Sequence, residues 1–147
     1  MAGQHTTYSF LDMSGAIVHP SYGVFQFTGE GVGQLTVTMT TDRTDHNIAA
    51  DGTVMVSKMA GNNGGAEIKC QQTGLLNKYL VGLYNYLLIA DTSEWAQTTM
   101  FIRNASDGTS HVLSGISFNK LPDKAYASKG DLVDWKLMAA DVQTLNA

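Results

Sequence analysis

The chain has 147 residues, 44% apolar and 15% charged, with two prolines and a net charge of −4 from 9 basic and 13 acidic side chains. That length suits one domain able to bury roughly two thirds of its unfolded surface without staples, and the composition is that of a globular protein light in charge. The acidic balance leaves no electrostatic footprint for wrapping a phosphate backbone, which excludes a tight nucleic-acid binder.

Residues 1–7, Met1-Ala2-Gly3-Gln4-His5-Thr6-Thr7, lack the basic start and apolar run of a signal peptide. Glycine in third rather than second place does not fit myristoylation. The expectation is a protein made and folded in a cytoplasm, where Asn104-Ala105-Ser106 is irrelevant as a glycosylation pattern. Residues 8–13 and 16–18 read as strands broken by Ser14-Gly15, and 24–27 as a strand after the turn His19-Pro20-Ser21-Tyr22-Gly23. Gly29 to Gly33 makes the next break. In residues 35–40, Leu35, Val37 and Met39 alternate with Thr36, Thr38 and Thr40, the period of a strand with one wet face. A second strand, 53–59, follows Asp51-Gly52. The polar connection between them, 41–50, is too long for a hairpin turn, and such a connection is either disordered or used.

Gly61-Asn62-Asn63-Gly64-Gly65 is a turn signal, since Gly and Asn accept positive φ. Residues 66–71 alternate again and put the single cysteine, Cys70, on the apolar side as a small buried hydrophobe. Residues 75–90 form the one good helix: Leu76, Leu80, Leu83 and Leu87 recur at helical spacing, and Tyr79, Tyr84 and Tyr86 widen the belt. Asn77, Lys78 and Asn85 interrupt the stretch, which falls short of a membrane span. The helix packs across the open end of a small sandwich or barrel, or has part of its belt covered by another subunit. Strands at 98–103, 111–118 and 132–138 complete the plan. Asp107-Gly108 marks a hairpin between the first two, and in the last Val133, Trp135 and Leu137 alternate with Asp134, Lys136 and Met138. The expected fold is mainly β, a β-sandwich or small β-barrel with one flanking helix (about 75–90) and a long protruding hairpin (about 35–59), in a single domain over 1–147.

Chemistry is sparse. His5, His19, His46 and His111 lie in four separate contexts, and Asp42, Asp45, His46 and Asp51 form the only cluster suited to acid–base or metal chemistry. Their neighbours are polar and unpacked, whereas pKa tuning needs a rigid, partly desolvated setting. A solvated or intersubunit polar loop is the favoured reading. Gly29-Glu30-Gly31-Val32-Gly33 has the wrong spacing for a dinucleotide fingerprint and leads into a strand. No phosphate loop, nucleophile elbow or paired-cysteine zinc motif occurs. The expectation is a structural or binding protein, not an enzyme, with no cofactor and no metal.

The order of features carries a resemblance. Tyr8-Ser9-Phe10-Leu11-Asp12 precedes Asp42-Arg43-Thr44-Asp45 and Gly52-Thr53-Val54-Met55-Val56-Ser57, then the Gly61 to Gly65 break, strand 67–71 and Leu75-Leu76-Asn77-Lys78-Tyr79-Leu80. Ser117-Phe118-Asn119-Lys120-Leu121-Pro122 and Tyr126-Ala127-Ser128-Lys129-Gly130 lead to a strand holding Trp135. Over essentially the whole chain this resembles the tail tube proteins of contractile-tailed bacteriophages, with an architecture similar to the type VI secretion tube. Asn119, where a second basic residue is expected, and Asp134-Trp135-Lys136 depart from the pattern.

The resemblance implies hexameric rings stacked head to tail into a hollow tube inside a contractile sheath, conducting DNA into the host cell. Implied partners are the chain itself, the sheath, the tail terminator and baseplate proteins, and the tape-measure protein and DNA in the lumen without specific binding; no membrane is involved. The implied location is the virion tail, assembled in the host bacterial cytoplasm. It places residues 41–53 at the ring-stacking interface, where Asp42, Arg43, Asp45, His46 and Asp51 would meet Lys120, Lys124 and Lys129 of a neighbour. Candidate lumen residues are Thr36, Thr38, Thr40, Glu67, Lys69 and Gln71, with Asp134 and Lys136 as the other wet set, while Lys78 and Asn85 are candidates to face the sheath. Two alternatives stand: the inner tube of a phage-derived contractile machine (bacteriocin or type VI-like), and a β-sandwich ligand-binding protein or enzyme using the Asp42 to Asp51 cluster.

Overall fold

The structure is a computed structural model that describes residues 7–29 and 31–146. The readings of the extreme N-terminus, His5 among them, and Glu30 lie outside the described residues. Ten strands and one α-helix are described: β1 (Met13–His19), β2 (Gly23–Thr28), β3 (Val32–Met39), β4 (Thr44–Ile48), β5 (Val54–Lys58), β6 (Gly64–Gln71), α1 (Leu75–Ile89), β7 (Thr98–Asn104), β8 (Ser110–Phe118), β9 (Leu132–Ala139) and β10 (Asp141–Leu145).

The expected strand over 8–13 is instead a 3-10 turn at Phe10–Asp12, with Ser9 as its cap and β1 starting at Met13. Ser14-Gly15 does not break β1. Glycine at 15 is needed inside the strand because a Cβ there would lie 2.6 Å from both the Phe101 carbonyl oxygen and the Phe27 ring. At the far end of β1, buried His19 accepts the N–H groups of Ser21 (3.1 Å) and Tyr22 (3.2 Å) on Nδ1. Nε2 therefore carries the proton and donates to the Glu94 carbonyl at 3.1 Å, tying the β1–β2 turn to the segment after the helix.

Eight strands join in the order β2-β1-β7-β8-β9-β6-β3, with β10 on β8, all antiparallel, and β2 and β3 end the path without pairing to each other. The result is sandwich-like rather than a closed barrel. β8 turns the corner between the two layers. It pairs with β10 over Ser110 to Ser114, with β7 as far as Ile116 across a register shift between Thr98 and Met100, and with β9 at Ser117 and Phe118; against β10 and β9 the register is continuous, since Ser114 faces Asp141 and Ser117 faces Met138. Gly115, at φ +63°, makes the bend opposite Ala140, where a Cβ would come within 2.7 Å of the alanine methyl. β10, which sequence patterning overlooks, is the continuation of β9 beyond this corner.

The core lies between the layers and under α1: Ile17, Ile68, Leu80, Leu83, Met100, Leu113, Ile116 and Trp135 are fully buried. The helix falls where its apolar spacing predicts, and Val133, Trp135 and Leu137 point inward as their alternation requires. Asn77 is the exception. Instead of an exposed interruption it is buried, accepting the Trp135 indole N–H at 2.9 Å and donating to the Gln72 carbonyl at 3.1 Å. Cys70 is buried as expected, and burial pushes its thiol up to about 11.

Candidate assembly surfaces

The polar connection after β3 is half of a hairpin. β3 pairs with β6, while among the described residues β4 and β5 pair only with each other, from Thr44 opposite Lys58 to Ile48 opposite Val54. The protruding hairpin therefore occupies 44–58 of the expected 35–59 span, and 35–39 belongs to the main sheet. Its tip closes through Ala49 N–H to Thr53 O (2.8 Å) and Gly52 N–H to Ala49 O (3.0 Å), with Gly52 at φ +91°. The Thr53 N–H donates to the Asp51 carboxylate at 3.0 Å and holds that exposed carboxyl below the usual range.

At the arm's root, Arg43 donates to the Met59 carbonyl at 3.2 Å and to the Asn62 side-chain oxygen. Thr41 donates to the Asn63 side chain at 2.6 Å, and the Val142 N–H bonds the Asn62 carbonyl at 2.9 Å. Opposed residues share a face of a two-stranded ribbon, so Ile48 and Val54 sit beside His46 and Val56 on one side, with Asn47 and Met55 on the other. Ile48, Met55 and Val56 are 69%, 61% and 62% exposed. The arm is thus less polar than its sequence suggests. Three consecutive apolar residues, Val54-Met55-Val56, were the signal: a strand apolar at every position needs cover on both faces.

Asp42 and Arg43 lie at the root, Asp45 and His46 on opposite faces of β4, and Asp51 at the tip, all exposed. They do not converge on one site. Among the described residues no group of three or more His, Cys, Asp or Glu side chains is placed to hold a metal ion.

The lysine-bearing segment lies elsewhere. Residues 119–131 run back along β9, from the Asn119 N–H on the Lys136 carbonyl (3.2 Å) to the Asp131 carbonyl, which accepts from the Gln72 N–H at 3.2 Å. The Gly64 end of β6 faces the Ala139 end of β9, and Gln71 faces Leu132. The arm therefore leaves one end of β3 and β6, and the 119–131 segment returns at the other. Lys120, Lys124 and Lys129 are exposed, and the Lys124 ammonium stands 5.4 Å from the Tyr126 ring centre.

The wet strand positions gather on a single sheet face. Thr36 faces Glu67, which faces Lys136; Gln34 faces Lys69, which faces Asp134. Thr38 and Gln71 share the face, so the two alternative sets form one surface. Thr40 falls beyond β3, its N–H bonded to the Asn63 carbonyl at 3.0 Å. Glu67, Lys69, Asp134 and Lys136 alternate in sign, and Lys69 and Glu67 approach to 4.0 Å. Partial exposure makes that pair energetically slight. On α1, Lys78 and Asn85 are exposed together with Leu75, Leu88 and Ile89.

Comparison with known proteins gives a consistent answer. By structure the chain is similar to a chain of the sheath–tube complex of the extracellular contractile injection system PVC in its extended state, at TM-score 0.64 and 7% identity, covering 98% of this chain and 94% of that one. It is also similar to a chain of the anti-feeding prophage tube-terminating cap, at TM-score 0.60 and 13% identity, over 100% and 95%. A chain of the PVC sheath/tube terminator matches at TM-score 0.60 and 10% identity, over 97% and 99%. At such identities the likeness is one of fold. No curated protein matches by sequence. The profile of the family described as bacteriophage PhiTE tail tube protein matches residues 5–146. Spanning nearly the whole sequence, that match makes this chain a member of the bacteriophage PhiTE tail tube protein family, a structural subunit of a tail tube.

Proposed function

We propose that the whole chain acts as a single tail-tube domain that forms hexameric rings, and that these rings stack head to tail into a tube within a contractile sheath. The observation that carries the proposal is the 44–58 arm, which exposes Ile48, Met55 and Val56 outside any core. An isolated ribbon of this kind is marginal in water, and a heterologous contact that never closes on itself builds a filament. In this reading Asp42, Arg43, Asp45, His46 and Asp51 meet Lys120, Lys124 and Lys129 across rings. The face bearing Thr36, Thr38, Glu67, Lys69 and Gln71 lines the lumen, a wall of balanced charge along which DNA slides without specific binding. The chain works by assembly rather than catalysis. Its partners are the sheath, terminator and baseplate proteins, with the tape-measure protein in the lumen, and assembly takes place in the host cytoplasm.

Negative-stain microscopy of the purified protein tests the proposal: stacked rings are expected from the natural chain, and folded but unstacked subunits when 44–58 is replaced by a short glycine turn. Persistent monomers of the natural chain at high concentration would overturn it. A phage-derived injection machine without DNA is the second reading, favoured by the injection systems among the similar structures. The ultraviolet absorbance ratio of purified particles separates the two.

A further inference from the structure

At the end of the β3–β6 pair opposite the arm, an open slot of about 260 Å³ lies between the edge strand β2 and the first turn of α1. Phe25, Phe27, Gly31, Gly74, Leu75 and Leu76 line it. Phe27 and Leu76 are buried and form the floor, whereas Leu75 is 72% exposed at the mouth. Leu132, also exposed, stands at the same end, beside the point where Asp131 and Gln72 join. β2 ends the strand order among the described residues, so the slot opens along a sheet edge.

We propose that this slot is the acceptor for the arm tip of a second copy of the chain, in the next ring; the proposal rests on the reading of the arm as the stacking element. Three observations select that occupant. The arm presents uncovered Ile48, Val54 and Val56 on one face, an apolar ridge that matches an apolar slot. Arm and slot sit at opposite ends of the same strand pair, separated by the length of an eight-residue strand, about 25 Å. A head-to-tail contact requires donor and acceptor to be so placed, because the same patch cannot serve both roles. The charges also correspond: the arm segment carries Asp42, Asp45 and Asp51 against Arg43 and Lys58, while the segment returning to the slot end carries Lys120, Lys124 and Lys129 against Asp123 and Asp131.

Hydrogen exchange on the natural protein reads both partners at once. The first helical bond of α1 is from Lys78 N–H to the Gly74 carbonyl, so the amides of Leu75 to Asn77 have no helical acceptor and are sensitive reporters in the free subunit. On assembly into tubes, exchange is expected to slow at least about tenfold both at residues 48–56 and at 25–27 with 75–77. Protection of the arm alone overturns the slot as acceptor and leaves the arm's stacking role standing. Protection of the slot alone means another surface fills it, which also overturns the proposal. Protection of neither removes the arm reading together with this one. Tubes of a Val54→Cys/Leu75→Cys double variant, oxidised and run on a denaturing gel, should give a ladder of linked subunits that neither single variant gives; intact tubes without a ladder contradict the contact. Buried Cys70 does not interfere.

Discussion

Asn77 holds the indole of Trp135 and the entry to α1 with its two amide functions. Removing the acceptor leaves a buried N–H without a partner, which costs more than the hydrogen bond itself contributed. Asn77→Ala is therefore expected to lower the stability of the unassembled subunit by about 2 kcal/mol in urea denaturation, far more than Asn85→Ala on the exposed side. Cys70 and Tyr79 make a pH prediction. Burial raises the Cys70 thiol from 9.0 to about 11, and burial, with the neighbouring Tyr22 phenol second, raises Tyr79 from 10.0 to about 12. Both groups keep their protons in the fold at pH values where the unfolded chain loses them. Their contribution is complete below pH 9 and is lost as pH rises through 9 to 12. The urea midpoint should fall over that range, and less steeply in Cys70→Ala; identical slopes would rule out the thiol. The buried thiol is legible in the alternation of residues 66–71, but the role of Asn77 is not: it looks like a polar interruption in the sequence, because its partner lies 58 positions away.

Among the elements, β8 and the arm carry the tests. Gly115 has positive φ and no room for a methyl against Ala140, so Gly115→Ala combines backbone strain with a clash. A loss of about 2 kcal/mol is expected, and Ala140→Gly should restore only the clash component; full rescue in thermal melts would show that φ imposes nothing. At the arm, Arg43 is engaged by Met59 and Asn62 of its own chain, which makes it a clasp for the arm's direction. Alternation and turn chemistry made β2, β3, β5, β6, β7, β8 and β9 legible. β4 and β10 were not, because Thr44-Asp45-His46-Asn47-Ile48 has no apolar period and Asp141-Val142-Gln143-Thr144-Leu145 is short and does not alternate. Both exist through partners, β5 and β8, that local pattern does not specify.

For the whole molecule, the arm shares no core residue with the body, so stability and assembly are separable. Charge reversal at the root, Asp42→Lys with Arg43→Glu, should leave the melting temperature within a few degrees of the natural value and abolish long tubes in electron micrographs. Normal tubes would end the root's role in stacking. Val54→Asp with Val56→Asp should act in the same direction while raising the solubility of free subunits, since it removes an exposed apolar patch. Light scattering at rising concentration measures that difference.

The sequence by itself determined a mainly β chain, the position and buried face of its helix, the inward turn of Trp135, a buried thiol and membership of the tail tube family, because periodicity, turn residues and motif order are properties of the chain. Only the tertiary structure decided which strands pair, that β3 joins β6 rather than β5, that the wet positions of β3, β6 and β9 form one charge-balanced face, and that the arm leaves one end of the β3–β6 pair while the lysine-bearing segment returns at the other. Those outcomes depend on register between segments distant in sequence, and register is set by the summed burial of a whole face rather than by any local residue.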